Sequence, residues 1–74
     1  MSHPDVNLDV RGMSPPEPLE HALEAIYTLE AGQRLRMLID REPYPLYQMI
    51  EREGYLHESE FTASQHYLVT IWRP

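Results

Sequence analysis

Polar and apolar residues alternate from Val6 to Arg11: Val6, Leu8 and Val10 fall on one side, Asn7, Asp9 and Arg11 on the other. A period of two marks a strand with one buried face. Gly12 and the prolines of "MSPPEP" end that strand. Leu19, Ala22, Leu23, Ile26 and Leu29 then recur at the i, i+3, i+4, i+7 spacing of an amphipathic helix. Pro16 and Pro18 suit its first turn, where a missing N–H costs nothing and φ is already set. Glu17 and Glu20 complement the positive end of its dipole. "EAGQ" closes it, with Gly32 expected as the left-handed cap.

Alternation returns in "RLRMLID", with Leu35, Met37 and Ile39 on one side and Arg34, Arg36, Leu38 and Asp40 on the other. This is a second strand. "REPYP" is another proline-stiffened connector, and Leu46, Met49 and Ile50 behind it set a short helix ending near Gly54. The remainder, "YLHESEFTASQHYLVTIWR", reads as two strands around a turn at Ala63-Ser64. That turn pairs Phe61 with His66 and His57 with Thr70.

The element order is therefore β-α-β-α-β-β. Right-handed crossovers put both helices on one side of the sheet. The predicted fold is an α+β, two-layer sandwich of four strands and two helices, with one sheet face uncovered. Residues 1–5 read as a tail and 6–74 as a single domain. The uncovered face is expected to carry Arg34, Arg36, Leu38, Leu68, Thr70 and Trp72, joined by Tyr55 and Phe61. Trp, aromatic residues and Arg on one flat surface have the composition of a contact patch for a protein or a second copy. A half-polar sheet face turned to water reads the same way.

Composition narrows the chemistry. Among 74 residues there is no cysteine, which removes disulfides, thiolate metal sites and thiol nucleophiles together. The net charge is −6, no lysine is present and the six arginines are dispersed. Phosphate contacts need clustered cations, so no nucleic-acid partner is expected. No apolar run approaches the ~20 residues of a bilayer span, and the first residues show no cationic-then-apolar leader. A cytoplasmic protein without a membrane partner is the expectation.

Both proline loops belong at the carboxyl ends of the first two strands, where α/β sheets tend to place ligands. One edge would then gather Arg11, Ser14, Pro15, Pro16, Glu17, Glu42 and Tyr44, with Tyr47 nearby. Two readings stand side by side. Proline rigidity would lower the entropy lost on binding a partner or small polar ligand; alternatively the prolines start helices and Arg11 pairs with a neighbouring carboxylate. Ser14 lacks a Gly-x-Ser-x-Gly turn, and His21 stands two turns away, so it does not form a nucleophile–base pair.

Metal readings are weaker. Glu17, Glu20, His21 and Glu24 share the polar side of the first helix, as a solvated face does. His57 and His66 stand four strand positions apart in the expected register, about 13 Å, too far for one ion. His3 with a free amine could bind copper only if Met1 is retained, and a mobile tail is the better reading. No metal site and no cofactor are expected.

"LDVRGMSPPEPLEHALEAIYTLEAGQRLRMLID" resembles the first half of the TusA/SirA-like sulfur-carrier family. Leu8, Asp9, Arg11, Gly12, Pro16, Glu17 and Pro18 match its Leu-Asp-x-Arg-Gly strand and Cys-Pro-x-Pro helix start. Pro15 occupies the position of the sulfur-bearing cysteine. The chain is more similar still to a cysteine-less sister group of unknown function, through "PPPE"-type and "DPxPL"-type loops; the second stands here as "EPYPL", Glu42 to Leu46. The final "YLVTIWR" fits as well. The resemblance implies a mixed sheet, with the first two strands adjacent and the last antiparallel to its neighbours. It does not carry persulfide transfer, which requires a sulfur that can be attacked and can leave.

The expectation is a non-catalytic binding or accessory module. It would meet a protein partner or a second copy through the open face, with the proline-loop edge giving specificity. The alternatives are a small-ligand or metal sensor at that edge, with Arg11, Glu17 and Glu42 as contacts, and a docking partner in a sulfur-transfer or redox pathway.

Overall fold

The computed structural model describes residues 4–74. His3 lies outside them. The elements follow the order β1 (Val6–Asp9), α1 (Glu17–Tyr27), β2 (Arg34–Ile39), α2 (Tyr44–Arg52), β3 (Leu56–Phe61) and β4 (Tyr67–Trp72). The strands form one mixed sheet in the spatial order β1-β2-β4-β3. β1 runs parallel to β2, and β4 lies antiparallel to both β2 and β3.

Alternation along the strands builds the core. Leu35, Met37, Ile39, Val69 and Ile71 are buried on the same sheet face and join Ala22 and Ile26 of α1 and Leu46, Tyr47 and Ile50 of α2 in one cluster. Both helices therefore cover that face. Val10 extends β1 by one bond, its N–H donating to the Leu38 carbonyl at 3.0 Å, and is buried too. Each large side chain so enclosed is worth about 1.5–3 kcal/mol relative to exposure, which a chain of this size requires.

The helix ends differ in detail from the pattern. α1 stops at Tyr27, and Thr28 closes it with its N–H on the Ala25 carbonyl at 3.2 Å and its hydroxyl on the same oxygen at 2.8 Å. Leu29 is buried beyond the helix, and Gly32, with φ +85°, turns the chain after it rather than capping it. In α2 the buried positions are Leu46, Tyr47 and Ile50, while Met49 remains 40% exposed. That helix ends as expected at Gly54, whose φ of +87° lets Tyr55 N–H reach the Ile50 carbonyl and Gly54 N–H reach Glu51. This pair of bonds is the Schellman arrangement, and Tyr55 packs back onto the core.

One expectation is overturned. β3 and β4 are joined by a three-residue loop, Ala63 to Gln65, closed by Thr62 N–H on the His66 carbonyl at 2.7 Å. Gln65 takes the left-handed conformation, φ 64°, as in a three-residue hairpin with a bulge. The register is consequently Phe61 with Tyr67 and His57 with Ile71, one residue away from the pairing that a turn at Ala63-Ser64 gives. A one-residue slip transfers every β3 side chain to the other face. His57, Ser59 and Phe61 thus stand on the helix side, and Leu56, Glu58 and Glu60 on the open side. Tyr55 also belongs to the helix side. Phe61 is 61% exposed there, at the sheet's edge, against Tyr67.

Candidate functional site

The parallel pairing of β1 and β2 brings both proline loops to the same end of the sheet. Between them lies a groove of about 690 Å³. Met13, Ser14, Pro15, Pro16, Pro18 and Leu19 form one wall; Asp40, Arg41, Glu42, Pro43, Pro45 and Leu46 form the other; Val10, Met37 and Ile39 floor it. The prolines hold each loop at the first turn of its helix. Because Pro16 and Pro18, like Pro43 and Pro45, carry no N–H, the groove presents ring carbon where other helix starts present donors. It is concave, and its lining is largely apolar rather than polar.

The residues singled out by the sequence separate into three places. Ser14, Pro15, Pro16 and Glu42 line the groove, while Arg11, Glu17 and Tyr44 do not. Arg11 forks onto Asp9, Nε to Oδ1 at 2.8 Å and Nη2 to Oδ2 at 2.7 Å. The hydrogen bonds from Arg11 hold the Asp9 carboxyl down at about 2. Arg11 is therefore committed to a carboxylate within its own loop. The Ser14 carbonyl accepts the Glu17 N–H at 2.9 Å, but no base is bonded to the Ser14 hydroxyl among the described residues. Tyr44 is exposed, with its hydroxyl 3.5 Å from Glu42.

Two acidic residues organise this end of the molecule. Asp40, which the strand pattern places merely on the polar side of β2, accepts the Gly12 N–H at 2.7 Å and faces His66 Nε2 at 3.4 Å. It ties the first proline loop to the β3–β4 loop. Glu42 accepts the Ser59 hydroxyl at 2.7 Å and the Tyr47 hydroxyl at 3.1 Å. Tyr47 stacks on His57, centroids 3.9 Å apart with planes at 4°, and His57 Nε2 lies 2.7 Å from Glu51. Burial pushes the Tyr47 phenol up to about 12, and Glu42 adds to the shift.

This second network clamps α2 and its loop to β3. Ser59 and His57 could not be assigned to it from the expected register, which turned them outward. Glu51 and His57 could have been paired only by knowing which side of β3 meets α2. Among the described residues no three His, Asp or Glu side chains converge as a metal site. His57 and His66 have separate carboxylate partners.

The open face carries the residues expected of it on the two central strands. Arg34, Arg36 and Leu38 of β2 pair across from Trp72, Thr70 and Leu68 of β4. Arg34 is anchored to Asp5 by two bonds at 3.2 and 2.9 Å, and Gln33 bonds the Pro4 carbonyl at 3.1 Å, so residues 4 and 5 are attached to the start of β2.

A model of the uncharacterised conserved protein family DUF2249 matches residues 7–73. The chain belongs to that family. Its fold is that of a SirA-like protein from Desulfitobacterium hafniense, whose crystal structure matches with a TM-score of 0.78 and 30% sequence identity, over 89% of this chain and 93% of that one. No functionally curated protein matches the sequence. This DUF2249 chain is thus a SirA-like domain without cysteine, and no thiol stands at its first proline loop. No helix among the described residues is long and apolar enough to cross a membrane.

Proposed function

We propose that this DUF2249 chain is an accessory binding module rather than an enzyme, and that it recognises a protein partner in the groove between its proline loops. The observation that carries the reading is the groove's lining. Pro15, at the position where the sulfur carriers it resembles hold their cysteine, forms part of a rigid apolar wall. The hydroxyl beside it is that of Ser14, to which no base is bonded among the described residues. Apolar area on stiff loops favours association, since little chain entropy is lost when a partner docks.

Affinity capture from native lysate tests this with wild type and Pro15→Glu. Pro15 is exposed, so the substitution places a charge in the groove without disturbing the core. A stoichiometric partner held by wild type and lost by the variant, with an unchanged melting temperature, is the expected result. Equal retention by both proteins, or a turnover abolished by Ser14→Ala, would overturn the reading. A second reading draws on the groove's volume, which lies within the ~300–1,000 Å³ of small-molecule sites. It predicts a thermal shift with uncharged apolar molecules that Pro15→Glu removes.

A further inference from the structure

We infer that the open sheet face binds a second copy of this chain, in a two-fold dimer whose axis runs along β4. The inference extends the binding-module reading to a second surface. The corrected register supplies the argument. Across the open face the rows read Arg34–Trp72–Leu56, Arg36–Thr70–Glu58 and Leu38–Leu68–Glu60 from β2 through β4 to β3. Arg34 and Arg36 on β2, an inner strand with β1 outside it, and Glu58 and Glu60 on the edge strand β3 thus flank a mainly apolar centre on β4. Although the chain carries −6, one row sets an arginine on one side of β4 against a glutamate on the other, Arg36 against Glu58.

Two faces that meet across a two-fold axis must have that axis in their common plane. An axis perpendicular to the strands would lay the arginine column over its own copy. An axis along β4 exchanges left and right and preserves rows. Arg36 of each copy then meets Glu58 of the other, while Trp72, Thr70 and Leu68 meet themselves. Arg34 crosses over Leu56, which is 46% exposed in one chain and would be covered by the arginine's aliphatic stem.

An Arg36–Glu58 pair on each side of an apolar, Trp-containing centre is the anatomy of a specific interface. The outer edges of the sheet suit pairing less well. β1 is four residues long, and β3 bears Glu58 and Glu60. Among the described residues Arg36 has no ion-pair partner within its own chain, whereas Arg11 and Arg34 do.

Sedimentation of the full chain over a range of concentrations tests the dimer, with Arg36→Glu and Glu58→Arg as single variants. Wild type is expected at twice 8.7 kDa. Each single variant sets like charges opposite each other twice and should raise the dimer Kd by roughly 100-fold. An equimolar mixture of the two variants should form a heterodimer, because both of its charge pairs are again opposite. Circular dichroism melts of the variants verify folding. Wild type that stays monomeric, or variants that dimerise as well as wild type, would overturn the inference, as would a mixture that fails to associate. Loss of partner capture by Pro15→Glu is read independently, so a failed dimer leaves the groove reading standing, and the reverse holds too.

Discussion

The two faces of the same four strands follow one alternation and end in different states. On the helix side Leu35, Met37, Val69 and Ile71 are wholly buried. On the open side Arg36, Leu38, Leu68 and Trp72 are half-buried by their neighbours alone. Helix cover, not strand sequence, makes the difference: "RLRMLI" and "YLVTIW" place apolar residues on both faces. The comparison teaches that this sheet carries more apolar surface than its helices enclose.

The largest effect is expected where that contrast is sharpest. Ile71→Ala should cost about 2–5 kcal/mol and unfold much of the protein at 37 °C, since the cavity forms under both helices. Leu68→Ala, three residues away on the open face, should cost only about 1 kcal/mol. Urea denaturation of both variants measures the gap, and equal losses would mean that the open face is as tightly packed as the core.

Next comes the clamp between α2 and β3. Glu42→Ala removes the acceptor of Ser59 and Tyr47, and a loss of about 1–3 kcal/mol is expected. Tyr44→Phe should be close to neutral, because its 3.5 Å contact is long and exposed. A Glu42→Ala melt identical to wild type would detach β3's helix-side placement from the stability of the fold.

The register that separates the faces is checked by Gln65→Gly. At φ 64° a glycine relieves left-handed strain, and a gain of up to ~1 kcal/mol is expected. Were the turn at Ala63-Ser64, Gln65 would sit in a strand and the same change would destabilise the protein.

The smallest effects are titrations. Asp9 should titrate near 2 by carboxyl NMR and move back up in Arg11→Gln. Its depressed value means that the Asp9–Arg11 contribution is full above the ordinary 3.8 and fades as pH falls through about 2. Tyr47 runs the other way. Raised to about 12, its contribution is full below 10 and lost as pH climbs past 12, which ultraviolet titration of tyrosine against Tyr47→Phe would follow.

Much of this molecule is legible in one dimension. Periodicities of two and 3.6 located the first four elements and β-branched and aromatic content the last two, and the proline loops of "MSPPEP" and "REPYP" fell at the same sheet end because the strands before them are parallel. Gly54 marked the end of the second helix, whereas Gly32, read as the cap of the first, only turns the chain beyond it. Gln65 was not readable, since nothing in a glutamine announces a positive φ, and that one residue decided the face of His57, Ser59 and Phe61. The site followed the same division. Pro15, Pro16, Ser14 and Glu42, with Tyr47 nearby, were placed at one sheet end from their loops, whereas Asp40, Ser59 and His57 became partners through contacts between separate segments.

The chain alone therefore determined its element order, its apolar stripes, its stiff connectors and the absence of any thiol, because each is a local property of residue type and spacing. Tertiary structure decided the β3–β4 register, the apolar character of the groove and the arginine–glutamate layout of the open face. Those depend on which residues of separate segments come within a few ångströms of each other, and no local pattern encodes that distance.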